Sequence, residues 1–248
     1  MDVPLAYRQK DILARLIRKH RLGPRYVELG CGDAFTMEGL SELGLEGVGI
    51  DYAPEAVRFA REKNIPGATY LEADFLNLGL EDEPLLLLLN VLEHFDDDAA
   101  VLRRLNGYMK VGGHLFLAMP SHSRAYGPAD RLAGHYRRYD REDLLAKLSA
   151  SGFEPVEICT IGFPVGNLYT WGYNKWLRLL RREYDFQPEN TAQTGFKDDL
   201  GHLPGPIQRV ARIAFPILRR LILLDRPFQS TDLGNNYLVM ARKASGSS

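Results

Sequence analysis

The sequence predicts a doubly wound α/β sheet, on three observations. Short apolar runs (RYVEL, GVGID, ATYLEA, LLLLLN and GHLFLAMP) recur between residues 25 and 120, and helical patterns separate them. Several of these runs are apolar at consecutive positions, as a parallel strand covered on both faces requires. Polar residues stand at the carboxyl ends of four of them, where open α/β sheets bind ligands.

In chain order, Ile12, Leu13, Leu16 and Ile17 recur at helical spacing from Asp11 to His20, and Gly23-Pro24 stops the pattern. RYVEL is the first strand, followed by a helix near 36–43. GVGID and a helix over about 54–63 come next, then ATYLEA. The five leucines of LLLLLN suit a buried central strand. A helix over about 97–108 and the strand GHLFLAMP complete the alternating series. DREDLLAKLSASGF puts Leu144, Leu145 and Leu148 on one helical face and stops at Gly152, and two further strands, EPVEICTI and NNYLVMARK, follow.

About 70 residues separate those last two strands, too many for a hairpin loop. Residues 162–232 hold 10 of the 25 aromatics, including both tryptophans, with 10 basic against 7 acidic residues. This stretch is expected to form a helical cap of aromatic and basic character. The expected organisation is therefore one ligand-binding domain over 1–161 plus 233–243, a cap insertion over 162–232, and a flexible tail over 244–248.

Composition narrows the function classes. Lys plus Arg total 31 and Asp plus Glu 32, so the basic excess of a nucleic-acid binder is missing. The two cysteines, Cys31 and Cys159, provide neither a disulfide framework nor paired metal-ligand spacing, so no metal is expected and a reducing cytoplasm is. The N-terminus lacks a signal-peptide core, and no stretch approaches the ~18 apolar residues of a spanning helix.

The ligand signal starts in YVELGCGDAF. Glu28 ends the first strand, and Gly30 and Gly32 form the turn into a helix, where backbone N–H groups face a ligand. A dinucleotide fingerprint needs a third glycine at position 35, which is Phe35, and a pyrophosphate is poorly served by Glu28. The pattern instead suits a nucleoside without phosphates that carries a cationic group. Asp51, at the end of the second strand, suits a ribose diol. Asp74 and Phe75 follow the third strand, within reach of an adenine, and Asn90 closes the fourth.

VELGCG, GIDYAPEAV, LEADFLNL, NVLEHF and MKVGGHLFLAMP resemble, in order and spacing, the cofactor motifs of class I S-adenosylmethionine-dependent methyltransferases, with the nearest likeness to the small-molecule branch that includes ubiquinone and menaquinone biosynthesis enzymes. The resemblance covers roughly 25–160 and the last strand at 236–243. It implies a Rossmann-like seven-stranded, mostly parallel sheet with an antiparallel last strand, the cap being inserted before it. It further implies S-adenosylmethionine as cofactor, with Glu28, Gly30, Cys31 and Gly32 bordering the methionine moiety, Asp51 and Tyr52 the ribose and adenine, Asp74 and Phe75 the adenine, and Asn90 and Val91 the sulfonium region. Ala34 departs from the third glycine of many relatives, which implies altered packing with binding retained. Tyr7 and Arg8 are further candidates, for the cofactor carboxylate.

Methyl transfer from a sulfonium is an in-line displacement, so the protein must mainly hold an acceptor at attack distance and exclude water. A hydroxyl acceptor also benefits from a base. His94, His122, His135 and Tyr139 are the candidates, with His135 and Tyr139 crowded in GHYRRYDREDL. The expected activity is methyl transfer to an O or N atom of a small molecule, lipophilic or anionic. Two alternatives stay open: other S-adenosylmethionine chemistry on the same fold, and a peripheral membrane protein that docks through 207–226, with five arginines and one aspartate, and keeps a relict pocket.

Overall fold

The computed structural model describes residues 3–179 and 220–245. Seven strands form one sheet in the order β3-β2-β1-β4-β5-β7-β6. They are β1 (Arg25–Leu29), β2 (Glu46–Asp51), β3 (Ala68–Glu72), β4 (Glu83–Leu89), β5 (Met109–Pro120), β6 (Phe153–Ile161) and β7 (Asn236–Lys243). Neighbours pair in parallel except β7, which runs antiparallel to both β5 and β6. The doubly wound sheet with its antiparallel last strand is thus as the sequence reads.

The leucine run explains the layering. Leu85 and Leu87 of β4 enter one apolar cluster while Leu86 and Leu88 enter another, because alternate side chains of a strand point to opposite faces. α1 (Val3–His20), α2 (Phe35–Ser41) and α3 (Pro54–Glu62) cover the first face or its edge; α4 (Asp98–Tyr108) and α6 (Arg141–Ala150) cover the second. α1 starts eight residues earlier than its periodicity indicates, and Leu5 extends its buried stripe. The connection after β5 holds a short helix, α5 (Pro128–Ala133), which the sequence reading lacks.

The expected cap lies partly outside the described residues, since 180–219 are not among them. Its first part is α7 (Val165–Leu179), which packs on α5. Its last part, the turn Ile222–Phe228, packs on α1 and β6. Ile222 joins the core cluster beneath α1, so this end of the insertion is built into the main domain.

Candidate functional site

Strand order reverses between β1 and β4, which opens the crevice where such sheets take ligands. Gly30 and Gly32 leave β1 with φ of +73° and +53°, in the left-handed region that glycine tolerates. A Cβ on Gly30 would lie 2.6 Å from Val91 Cγ2, so the turns after β1 and β4 meet where only glycine fits. Ala34 also takes a positive φ, +61°, at the start of α2, where a glycine would avoid the side-chain strain.

Asp51 ties two turns together: one carboxylate oxygen accepts the Gly32 N–H and the other the Ala53 N–H, both at 2.9 Å. A carboxylate offers roughly four acceptor positions, so about half remain for a ligand. The Ala73 N–H donates to the Asp51 carbonyl at 2.9 Å and brings the turn after β3 alongside. Asp74 caps that turn, accepting from Leu76 N and Asn77 Nδ2 at 3.0 and 2.7 Å, and stays exposed. Phe75 is buried edge-on to Phe95, whereas Tyr52 is 52% exposed at the mouth.

Glu28 is buried, and its Oε2 lacks a hydrogen-bond partner. Burial pushes its carboxyl up to about 8, a Thr36 hydrogen bond opposes this, and Asp33 and Asp51 add repulsion. A buried carboxyl with a free oxygen beside a glycine turn fits a cationic ligand group. Cys31 is a buried spacer whose thiol burial and Glu28 hold protonated.

Asn90 leaves β4 with φ +56°, and its side chain pairs with Gln9 of α1. Gln9 was not singled out from the sequence, because nothing local marks one buried polar residue on a charged helix. Arg8, a candidate for the cofactor carboxylate, is instead buried against Asp225, Nε to Oδ1 at 2.8 Å. Tyr7 packs edge-on to Phe35, with ring centroids 4.8 Å apart.

A second group stands beyond β4. The His94 and His135 rings meet edge to face at 4.8 Å. His135 Nδ1 lies 3.1 Å from Asp130 Oδ1, which Arg138 Nε also reaches at 2.8 Å. Burial alone would raise Asp130, but the His135 and Arg138 contacts hold its carboxyl below the usual range. The second Asp130 oxygen accepts the Gly127 N–H at the start of α5. An Nδ1–H donated to Asp130 leaves the His135 Nε2 lone pair free to take a proton. His94 Nδ1 contacts the Gly134 carbonyl at 3.2 Å, and burial followed by His135 repulsion lowers its imidazolium to about 3, so the ring is neutral. Glu93 Oε1 lies 4.0 Å from His135 Nε2, and its burial raises that carboxyl to about 7.

GHYRRY is pinned rather than solvated. Tyr139 N donates to the Pro120 carbonyl, and His122 N donates to the Tyr139 carbonyl, at 3.0 and 2.7 Å. Tyr139, expected as a base, is fully buried in the second core cluster, and burial and the Asp98 and Glu93 charges push its phenol upward. Its place is packing. His122 holds the Gly234 carbonyl through Nε2 at 2.9 Å. Glu93 and Asp130 were missed: Glu93 lies within a quoted motif, and Asp130 reads locally as a helix-start carboxylate.

Residues 3–158 match the family described as a methyltransferase domain. Over 104 residues the chain is 31% identical to a ubiquinone biosynthesis O-methyltransferase of Xanthomonas euvesicatoria pv. vesicatoria, a match that covers 39% of this chain and 43% of that protein. The chain thus spans under half the length of that curated relative. Among solved structures it resembles a putative sarcosine dimethylglycine methyltransferase from Galdieria sulphuraria, with TM-score 0.63, 13% identity and 96% and 86% of the two chains covered. It also resembles the [4+2]-cyclase SpnF, with TM-score 0.55, 18% identity and coverage of 90% and 76%. At such identities the likeness is one of fold.

Proposed function

The chain belongs to the class I S-adenosylmethionine-dependent methyltransferases, and on that premise we propose that it methylates an O or N atom of a small-molecule acceptor, with His135 as the base when the acceptor is a hydroxyl. The bound sulfonium supplies an electrophilic methyl group. Gly30 and Gly32 give the donor close access to the backbone, Asp51 receives the ribose diol, and Glu28, whose buried carboxyl a neighbouring cation draws into its ionised form, offsets the donor's positive charge. Tyr52, Asp74 and Phe75 border the adenine, and Asn90 and Val91 the reacting end.

The observation that carries the hydroxyl reading is the Asp130–His135 pair. An amine that arrives neutral needs positioning alone, whereas a hydroxyl gains from a base whose other nitrogen is fixed by a carboxylate. Arg138 and the Gly127 N–H hold that carboxylate in place. The Asn174 side chain of α7 accepts the Ala129 N–H at 2.9 Å, so the cap's first helix anchors α5, which bears Asp130.

The test is product analysis by mass spectrometry after incubation with methyl-labelled donor and a panel of phenols, aliphatic alcohols and amines. Labelled methyl on a phenol or alcohol, lost in His135→Ala, supports the reading. Conversion without label transfer would assign the fold to another reaction.

A further inference from the structure

α7 is amphipathic in the unusual sense. The side it turns to the protein carries Gly166, Asn174 and Leu177, all buried. The side it turns outward carries Leu168, Trp171 and Leu179 at 65%, 64% and 73% exposure, flanked by Tyr169 and Trp176. At 3.6 residues per turn, positions 168, 171, 175, 176 and 179 share one face, and an exposed apolar face of this kind marks a binding surface.

The charges on α7 itself have one sign. Lys175 and Arg178 are exposed on α7, and Lys175 Nζ lies 5.1 Å from the Trp171 ring centroid. The turn Ile222–Phe228 contacts α7 and exposes Leu224 and Arg226, with Arg220 and Leu221 just before it. Across the described residues 163–179 and 220–232 the carboxylates are Asp225, buried against Arg8 and turned away from solvent, and Asp232, which is exposed and accepts from the Tyr237 hydroxyl; α7 itself carries none. Tryptophan, tyrosine and leucine interleaved with lysine and arginine, free of exposed carboxylates, is the composition that settles at a lipid headgroup boundary.

We propose that the outer face of α7 docks this protein onto anionic bilayer surfaces. The aromatic and leucine side chains enter the headgroup region, and Lys175 and Arg178 meet lipid phosphates. The assignment is independent of the acceptor.

The chain's two tryptophans, Trp171 and Trp176, both lie on this helix, so intrinsic fluorescence reports the face directly. The full-length protein is titrated with vesicles of phosphatidylcholine alone and with vesicles containing about one third phosphatidylglycerol. The expected result is a blue shift, quenching by brominated lipid and cosedimentation with the anionic vesicles, all weakened by salt. Leu168→Glu combined with Leu179→Glu is expected to cut partitioning at least about tenfold. Its melting temperature and S-adenosylhomocysteine affinity are expected to stay at the parent values. No shift and no cosedimentation with anionic vesicles would overturn the proposal. So would tryptophans already shielded from acrylamide in the free protein, which would give the face to another segment of the chain. A concentration-dependent dimer that shields them without lipid would give it to a second copy.

Discussion

The side-chain amides of Gln9 and Asn90 form a reciprocal pair: Gln9 Nε2 donates to Asn90 Oδ1 at 3.2 Å, and Asn90 Nδ2 donates to Gln9 Oε1 at 3.0 Å. It joins α1 to the end of the central strand, 81 residues away in sequence. The pair fixes the exposed Asn90 from a buried partner, because Gln9 is 5% exposed and has little freedom to turn.

Gln9→Ala should therefore loosen Asn90. S-adenosylhomocysteine affinity is expected to fall by about 0.5–1.5 kcal/mol, the net worth of a hydrogen bond, with a smaller change in melting temperature. Titration calorimetry beside thermal unfolding measures both. An affinity equal to the parent's would leave the pair without influence on the site.

The neighbouring residue serves stability. Arg8 and Asp225 are both almost fully buried, and Asp225 also accepts from Gln229 Nε2 and the Gly162 N–H. Asp225→Ala strands a buried guanidinium and should cost about 3–5 kcal/mol in urea unfolding. Arg8→Met with Asp225→Leu removes both charges and should recover most of that loss. If the double variant is no more stable than Asp225→Ala, the pair is not what holds this end of the insertion to α1.

The fold was legible where one side-chain pattern met one local rule. The consecutive leucines of β4 alternate between two cores, and Gly30, Gly32 and Asp51 sit at strand ends that apolar runs delimit. What stayed hidden depends on partners distant in sequence. Arg8 reads locally as a candidate for the cofactor carboxylate, whereas its partner in the fold, Asp225, lies 217 positions on. Tyr139 reads locally as a candidate base in a polar loop, yet its backbone bridges to Ser121 and draws the ring into the core. Asp130 gains meaning only when His135 folds back onto it.

Glu28 gives the molecule a pH signature. Its native carboxyl titrates near 8 because it is buried, against about 4.5 when solvated, so the native state keeps a proton the unfolded chain has released. Stability from this group is full below about 4.5 and is lost as pH rises towards 8. Glu28→Gln removes the titration and should flatten melting temperature against pH across that window. It should also weaken S-adenosylmethionine more than a neutral thioether analogue, since a glutamine cannot ionise in answer to a cationic ligand as the buried carboxyl can. A pH profile unchanged from the parent would mean that Glu28 is ionised throughout.

The last prediction concerns His135 and the carboxylate behind it. With a hydroxyl acceptor, His135→Ala should lower the single-turnover rate by about 10² to 10⁴, the range for loss of a general base, while cofactor affinity holds. Asp130→Asn keeps the shape but accepts more weakly from Nδ1, so its loss should be smaller and of the same kind. Two controls separate chemistry from packing. Tyr139→Phe removes a hydroxyl that is fully buried and should leave the rate near the parent value. An amine acceptor presented above its own pKa needs no proton removed, so His135→Ala should cost that reaction far less. Equal losses with both acceptors would make His135 a positioning residue, and parent rates with both would return it to the scaffold of α5.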